Sequence, residues 1–329
     1  MLFIYAVKRI LWGIPFLLAV SLIAFALIQA PPGDFLTTVE MRLAYQGITL
    51  DAATIADMRA QYGLDQSFLI QYWKWISGVL QGDFGYSFFW REPVWSLIAE
   101  RMALSVTLAL ATLLVTWAVA LPIGIFSAVR KYSLGDYLVT FVGFVGLSVP
   151  NFLLALGLMY IAVVYLGSDV SGLFSAAYQN APWSWGKFVD LLAHLWIPVL
   201  ILGTSSTASL IRIMRANLLD ELYRPYVTTA RAKGLSEFRL LMKYPVRLAL
   251  NPFVSTIGWA FPQLISGSII TSVVLSLPTS GPLLLDALLA QDMYLAGAFI
   301  LLLCALSVIG MIVSDILLAI IDPRIRYLK

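Results

Sequence analysis

Long stretches without a charged residue recur along the chain. They cover residues 10–33, 102–129, 137–168, 191–211, 248–285 and 293–314, and residues 316–321 extend the last stretch past Asp315. Since about 20 apolar residues cross a bilayer as a helix, we predict one transmembrane helix from each stretch. The fifth stretch is too long for one helix, and its turn-rich segment 277–282 predicts a helix end near Ser276. Residues 283–291 then form a short helix at the outer surface. The predicted fold class is an all-α polytopic membrane protein with six transmembrane helices.

The distribution of basic residues predicts the orientation. Fifteen Lys and Arg residues fall on one side of the predicted spans and six on the other. The positive-inside rule therefore places both termini in the cytoplasm. We divide the chain into an N-terminal tail with the first helix (1–30), an extracytoplasmic segment (31–101) and a core of five helices (102–329). The first stretch has the layout of a signal peptide, but its length and the poor cleavage site Ala30-Pro31-Pro32 favour an uncleaved span.

Composition narrows the class of protein. Apolar residues make up 60% of the chain and charged residues 12%, against about 45–50% and about 25% in soluble domains. These values argue against an ordinary soluble enzyme, a disordered chain and a nucleic-acid-binding module. One cysteine, Cys304, and one histidine, His194, leave too few ligands for a metal site. Cys304 is expected to be a small buried side chain.

The outer segment 31–101 is long enough to form short helices, one of them predicted near residues 52–61. It carries an aromatic cluster made of Tyr72, Trp73, Trp75, Phe84, Tyr86, Phe88, Phe89 and Trp90. Such a cluster is typical of an interfacial belt with packing below it. It also suits a docking or gating surface. Trp73, Trp75, Trp90, Trp183 and Trp185 suit either stacking on sugar rings or contact with the membrane interface.

Three groups of residues in or near the spans have two interpretations. Asp315 lies near the inner end of its span, where structural pairing is favoured over ion coupling. Asp190 and His194, four residues apart, are predicted to form a local pair on one helix face. Gly143, Gly146 and Gly157 are expected to permit close helix packing rather than to line a pore.

The inner loop 212–252 is the most strongly charged part of the chain. Its apolar residues recur at helical spacing between Arg and Lys, which predicts two or three short amphipathic helices. A basic face of this kind can contact anionic membrane lipids. The other interpretation is a docking element for a cytoplasmic partner.

The centre of this loop carries a recognisable motif. Residues 228–236 read Thr-Thr-Ala-Arg-Ala-Lys-Gly-Leu-Ser, with the motif glycine at Gly234 and a closing proline at Pro252. This resembles the EAA loop of binding-protein-dependent ABC import permeases, in the form found in the dipeptide/oligopeptide/nickel branch. The chain departs from the general motif with Thr228-Thr229 in place of Glu-Ala, with Asn251 before the proline, and with Pro245 in the following helix.

The resemblance covers essentially the whole chain and is closest to the B-type subunit. Further matching segments are Val7-Lys8-Arg9-Ile10 with Ile14-Pro15, Pro32-Gly33-Asp34, Tyr62-Gly63-Leu64-Asp65, Gln71-Tyr72, Gly82-Asp83-Phe84-Gly85-Tyr86-Ser87, Ser148-Val149-Pro150-Asn151-Phe152 and Asp322-Pro323-Arg324-Ile325-Arg326. It implies a multi-pass protein of the bacterial inner (plasma) membrane with the type I ABC importer permease fold. The implied partners are a second homologous permease, two ATP-binding subunits, an extracytoplasmic solute-binding protein and membrane lipids, with no nucleic acid.

The resemblance also implies which residues couple the permease to ATP hydrolysis. They are Tyr226, Thr228, Thr229, Ala230, Arg231, Ala232, Lys233, Gly234, Leu235, Ser236, Glu237 and Phe238. Glycine at position 234 permits a positive φ and hence a sharp bend between two short helices. Helix-in-groove docking needs apolar anchors and a polar rim. Ala230, Leu235 and Phe238 are candidate anchors, and Arg231, Lys233 and Glu237 are candidate rim residues.

The chain itself is not expected to be an enzyme or to bind a cofactor. A phosphate loop requires a lysine followed by Ser or Thr, and no lysine here has that neighbour. ATP and Mg²⁺ are therefore assigned to the partner subunits. The resemblance favours di- or oligopeptides as the solute, with oligosaccharides or another organic solute as the alternative and nickel third. A secondary carrier using Asp315, or Asp190 with His194, is the alternative of a different class, and no residues are assigned to substrate binding.

Overall fold

The chain is helical throughout most of its length. The computed structural model describes residues 2–48, 51–167 and 171–321. Their helices are α1 (Leu2–Gln29), α2 (Phe35–Tyr45), α3 (Ala52–Tyr62), α4 (Phe68–Leu80), α5 (Val94–Val129), α6 (Leu134–Ser148), α7 (Asn151–Leu166), α8 (Trp185–Leu222), α9 (Pro225–Ala232), α10 (Glu237–Lys243), α11 (Pro245–Ser255), α12 (Ile257–Gly267), α13 (Ile269–Val274), α14 (Ser280–Leu289) and α15 (Met293–Ile321). Within these ranges the β-type pairing is a single bridge between Tyr86 and Pro93, so the all-α class is confirmed.

Several helices are long and apolar enough to cross a membrane. By length and composition they are Ile10–Gln29, Val94–Val129, Trp185–Leu222 and Met293–Ile321. Helices α6 and α7 add a fifth crossing if the bent pair counts as one span. The described residues therefore establish a multi-pass protein. The count of six spans and the side of the membrane on which the termini lie remain predictions. The tail motif 322–326 lies outside the described residues.

The third apolar stretch is broken, so the prediction of one continuous helix over it is wrong. Helices α6 and α7 are bent by 98° relative to each other. The break falls at Val149, which is extended at ψ 121°, and at Pro150, which is the N-cap of α7. Proline disfavours the helical region for the residue before it, and the extended Val149 agrees with that preference. Pro15, Pro122 and Pro198 lie inside continuous helices, so a proline alone does not determine a break.

The fifth stretch is interrupted more often than the sequence suggested. It forms α11, α12 and α13, with breaks at Thr256 and Ser268. The predicted end near Ser276 is confirmed, because α13 stops at Val274 and Ser276 has a φ of 52°. The short helix predicted for residues 283–291 is α14, and the one predicted near residues 52–61 is α3.

The chain divides into two compact units. The first unit comprises the residues up to Ile10, Val106–Pro278, and those from Ser307 onward; the second comprises Leu11–Ser105 and Thr279–Leu306. The core of the second unit includes the buried side chains of Phe25, Trp75 and Phe299.

The inner loop is positioned by a core of the first unit. Met214 and Leu218 of α8 pack with Val246, Ala249 and Phe253 of α11. All of these residues are buried. This packing fixes the helices that precede and follow the inner loop.

The three glycines predicted to permit close packing behave differently. A Cβ atom added to Gly146 of α6 would lie 2.9 Å from Cγ2 of Thr204 in α8, and one added to Gly143 would lie 3.7 Å from the Cβ of Ala208. The close approach is therefore confirmed at Gly146. At Gly157 of α7 no atom lies within 4 Å of such a Cβ, so the packing interpretation is wrong there for the described residues.

Candidate functional site

The inner loop turns back on itself at Gly234. The residue has a φ of 78°. Its N–H donates to the carbonyl of Arg231 at 3.0 Å, and the N–H of Leu235 donates to the carbonyl of Ala230 at 3.4 Å. This pair of bonds is the Schellman ending of a helix, in which a left-handed residue satisfies the last carbonyls. The sharp bend predicted from the glycine is confirmed, and it joins α9 to α10.

The loop has a small core of its own. Val227, Ala230 and Leu240 are buried against one another, and Leu235 packs on them with the rings of Tyr226 and Tyr244. Ala230 is only 8% exposed. Its methyl group therefore faces the loop core, and the prediction that Ala230 is an anchor for another protein is wrong. Leu235 is half-buried by the same packing.

Tyr226 ties this core to the end of α8. Its hydroxyl donates to Oε2 of Glu221 at 2.5 Å. Burial, and then the neighbouring Glu221 carboxylate, raise the pKa of the Tyr226 hydroxyl above its ordinary value, so the group remains a neutral donor at physiological pH. The loop and the long helix α8 are thereby joined by a side-chain bond as well as by the chain.

The opposite face of the loop is exposed. Arg231 and Glu237 form a two-point ion pair across the bend, with N···O distances of 2.5 and 3.0 Å. The Arg231 guanidinium lowers the pKa of Glu237. Phe238, on the first turn of α10, is 78% exposed. The other exposed residues of the motif are Thr228, Thr229, Ala232, Lys233, Gly234 and Ser236.

Sequence reasoning missed one apolar residue of this face. Met242 is 46% exposed and lies four residues after Phe238 on α10. Residues i and i+4 of a helix are neighbours on one face, so the two exposed apolar side chains lie on the same face of α10. The sequence carries this i, i+4 spacing, but charged residues flank both positions. We call Phe238 and Met242 the docking patch.

A buried ion pair braces the first unit above the loop. Asp136 at the start of α6 receives two bonds from the Arg215 guanidinium, from Nε at 2.9 Å and from Nη2 at 2.8 Å. It also accepts bonds from the Ser127 hydroxyl and from the N–H of Tyr132. Because Arg215 belongs to the last two turns of α8, the brace fixes the end of the helix that leads into the loop. No sequence motif pointed to it.

The aromatic residues of the outer segment fall into two groups. Trp75 is buried in the core of the second unit, and Phe88 packs there as well, so packing is confirmed for these two. Trp73 and Trp90 are exposed. In the first unit, Trp183 and Trp185 are also exposed. For the exposed tryptophans, contact with the membrane interface and stacking on a solute both stay predictions.

Asp190 and His194 are engaged in local structure. The Asp190 carboxylate accepts a bond from the N–H of Ser175 at 2.8 Å. His194 Nδ1 lies 2.8 Å from the backbone oxygen of Asp190 and 3.7 Å from its Oδ1, so the predicted local pair is confirmed. Asp315 is half-buried and interacts with other residues. Cys304 is half-buried, which is less buried than expected.

No group of three or more potential metal ligands occurs in the part of the chain that the structure describes.

Comparison with known proteins extends over nearly the whole chain. Residues 120–327 match the family described as binding-protein-dependent transport system inner membrane component, and residues 1–111 match the corresponding N-terminal family. The chain is 34% identical to the oligopeptide transport system permease protein AppB of Bacillus subtilis, over 98% of this chain and 99% of that protein. It is 30% identical to the dipeptide transport system permease protein DppB of Escherichia coli K12, over 99% of both chains. It is 35% identical to the glutathione transport system permease protein GsiC of Salmonella paratyphi A, over 98% of this chain and 99% of that protein.

Proposed function

The chain belongs to the family of inner-membrane components of binding-protein-dependent transport systems, and on that premise we propose that it is a permease subunit of an ATP-driven importer of di- or oligopeptides. The observation that carries the solute class is that three relatives aligned over almost their full length are named for an oligopeptide, a dipeptide and glutathione. All three are short chains of amino acids, so peptides are the chemistry they share.

The geometry of the inner loop supports its role in coupling. An element that transmits motion between subunits must keep its shape while a partner contacts one face. The loop has its own core, a Schellman turn at Gly234 and the Tyr226–Glu221 bond to α8. Its other face offers the docking patch, with Arg231 and Glu237 beside it. An apolar patch with a polar rim is the surface that helix-in-groove docking requires.

In the proposed mechanism, the groove belongs to an ATP-binding subunit of the importer. Two such subunits bind ATP and Mg²⁺ and close on each other, and this chain contributes no group to hydrolysis. The closure displaces α9 and α10 as a body. Because α8 is joined to the loop by Tyr226 and braced by Arg215 on Asp136, the displacement reaches the transmembrane helices. The permease then changes between inward-facing and outward-facing states.

The same proposal fixes the orientation and the remaining partners. In this proposal the chain has six spans, so that both termini lie on the same side, and the excess of basic residues on that side makes it the cytoplasmic one. The inner loop is then cytoplasmic and the segment 31–101 faces outward. A second, homologous permease forms the other wall of the pathway. An extracytoplasmic binding protein delivers the solute to the outer side. The basic residues of the inner loop contact anionic lipid headgroups outside the docking face.

Uptake into intact cells tests the proposed function. Cells that express the complete transport system, with or without this chain, are supplied with labelled trialanine and labelled maltotriose. We expect trialanine uptake that requires this chain, disappears on ATP depletion and persists when a protonophore collapses the proton gradient. Uptake that follows the proton gradient and not ATP would contradict the importer, and maltotriose uptake in place of trialanine would contradict the solute class.

A further inference from the structure

Helix α4 carries a row of apolar side chains that the rest of this chain leaves uncovered. Leu69, Trp73 and Leu80 are each 69–74% exposed. Because successive residues of a helix lie about 100° apart around its axis, the three side chains fall within roughly 40° of one another. We call these three residues the α4 stripe. Exposed apolar residues grouped in this way mark a contact with another protein or with a membrane.

The opposite face of α4 packs against two long apolar helices. Trp75 stacks on Phe25 of α1, with 5.5 Å between the ring centroids. A Cβ atom added to Gly297 of α15 would lie 3.2 Å from the Trp75 ring, and Ile76 is buried in the same core. Both α1 and α15 are long and apolar enough to cross a membrane. Helix α4 therefore contacts the sides of membrane-crossing helices, although it belongs to the segment predicted to be extracytoplasmic.

The contacts with α1 give the depth of α4 in the membrane. The apolar part of α1, Ile10–Gln29, has 20 residues, and at about 1.5 Å per residue it spans about the 30 Å of a hydrocarbon core. Phe25 then lies about 6 Å, and Ser21 about 12 Å, inside the edge at Gln29. Helix α4 reaches both levels, because one of its rings stacks on Phe25 and its Tyr72 hydroxyl lies 2.8 Å from the Ser21 hydroxyl. Interfacial amphipathic helices bury their apolar face to a similar depth, roughly 5–10 Å.

The one charged side chain of α4, Lys74, points toward the polar part of the outer segment. A Cβ atom added to Gly63, the C-cap of α3, would lie 3.9 Å from Nζ of Lys74. Every residue of α3 is at least partly exposed, so the ammonium lies beside a water-facing helix. Around the axis of α4, Leu69 and Leu80 lie roughly 120–140° from Lys74, and the stripe is therefore turned away from that side. A helix with Lys toward water and with Trp and Leu on its other side is typical of a membrane interface.

We propose that α4 is an interfacial helix whose stripe contacts the lipid acyl chains of the leaflet at the Gln29 end of α1. Lipid is the occupant because the stripe continues the exposed apolar surface of a membrane-crossing helix. Leu18, whose carbonyl accepts a bond from the Tyr72 hydroxyl at 3.3 Å, and Leu22 are both exposed on α1. Helix α4 thereby anchors the segment 31–101 to the membrane surface. This inference rests on the membrane location of the family and is independent of the transported solute.

Fluorescent labels at single cysteines on α4 test the proposal. Cys304→Ser removes the one native cysteine, and Trp73→Cys or Leu80→Cys then places a bimane label on the stripe. Lys74→Cys is the matched control, since it is also exposed and is adjacent to Trp73 but lies on the side of α3. Each variant is assembled with its partner subunits in lipid nanodiscs. Quenching is measured with iodide in the water and with a lipid that carries a doxyl group high on its acyl chain, and thermal unfolding is compared with Cys304→Ser.

We expect the labels at Trp73 and Leu80 to lose fluorescence to the doxyl lipid and to be protected from iodide, whereas iodide should quench the label at Lys74. The unfolding temperature should not change, because all three side chains are exposed, and two stripe positions keep the test valid if one variant fails to fold. Quenching of the stripe labels by iodide to the same extent as the Lys74 label would overturn the proposal, since the stripe would then face water. Protection of the stripe labels from both quenchers would also overturn it, because a protein partner and not lipid would then cover them.

Discussion

Replacing Phe238 by Ala should weaken the binding of the ATP-binding subunits. Burial of a phenylalanine removes about 150–250 Å² of surface from water, and 78% of the surface of Phe238 is exposed in this chain. Docking can therefore cover on the order of 150 Å², which corresponds to about 4 kcal/mol at roughly 25 cal/mol/Å². The alanine keeps its Cβ, and the edge of the ring remains wet, so we expect a loss of about 2–3 kcal/mol. That is a rise in Kd of roughly 30- to 150-fold.

The assay is the affinity of the purified permease, held in lipid nanodiscs, for its ATP-binding subunits. Phe238 is not part of the loop core formed by Val227, Ala230 and Leu240, so the variant should unfold at the wild-type temperature. Tyr45→Ala is the control, because Tyr45 is 93% exposed but lies on α2, in the outer segment. A Kd for Phe238→Ala within twofold of the wild-type value would refute the assignment of the docking patch.

Three further substitutions test other parts of the account. Gly234→Asn should keep uptake, because asparagine tolerates a φ of 78° and an added Cβ meets no atom within 4 Å. Gly234→Val should strain the bend by about 1–2 kcal/mol, and Gly234→Arg should abolish uptake while the chain is still inserted in the membrane. Normal uptake by the arginine variant would contradict the role of the bend. Asp136→Ala leaves Arg215 half-buried without its carboxylate and should lower the free energy of unfolding by about 2–4 kcal/mol. Adding Arg215→Leu should restore part of this free energy, as measured by calorimetry. If the double variant were no more stable than Asp136→Ala, the brace would be contradicted. Asp292→Ala should lower the free energy of unfolding by about 2–4 kcal/mol, because it removes a buried acceptor 2.5 Å from the Ser87 hydroxyl. Proteolysis near Ser87 should be faster in this variant than in Asp292→Asn.

The apolar pattern of the sequence predicted the helical class and the location of the long helices. The stretches at residues 10–33, 102–129 and 293–314 correspond to α1, α5 and α15, because uninterrupted apolar residues favour one regular helix in a bilayer. Hydropathy could not locate the helix ends. Helix α8 begins at Trp185 and continues to Leu222, so it extends the apolar stretch 191–211 by fewer than two turns at its start and by about three turns at its end.

Where the pattern failed, backbone effects were stronger than hydropathy. The third stretch breaks at Pro150, where the preceding Val149 is extended, as a residue before a proline prefers. Pro122 and Pro198 also stand within apolar runs but lie inside continuous helices, so the sequence did not show which proline would break its helix. The breaks at Thr256 and Ser268 have no comparable signal in the sequence. The spacing of apolar residues alone cannot show that the fifth stretch forms three short helices.

The inner loop was the most predictable part of the candidate site. The bend could be predicted from Gly234 alone, because the ability to adopt a positive φ is a local property of glycine. The orientation of single side chains was not predictable in the same way. Ala230 packs inward and Phe238 points outward, and this difference depends on how α9 and α10 close on each other. The brace between Asp136 and Arg215 joins residues 79 positions apart, a distance over which one sequence carries no pairing signal.

Reconstitution tests the central claim most directly. The permease, its partner permease, the ATP-binding subunits and the binding protein are placed in proteoliposomes, and labelled trialanine uptake is measured with Mg-ATP or with a non-hydrolysable analogue. The account predicts uptake against a concentration gradient with Mg-ATP only, and its loss when this chain carries Gly234→Arg. Accumulation without hydrolysis, or uptake that survives Gly234→Arg, would contradict the coupling of peptide import to ATP through the inner loop.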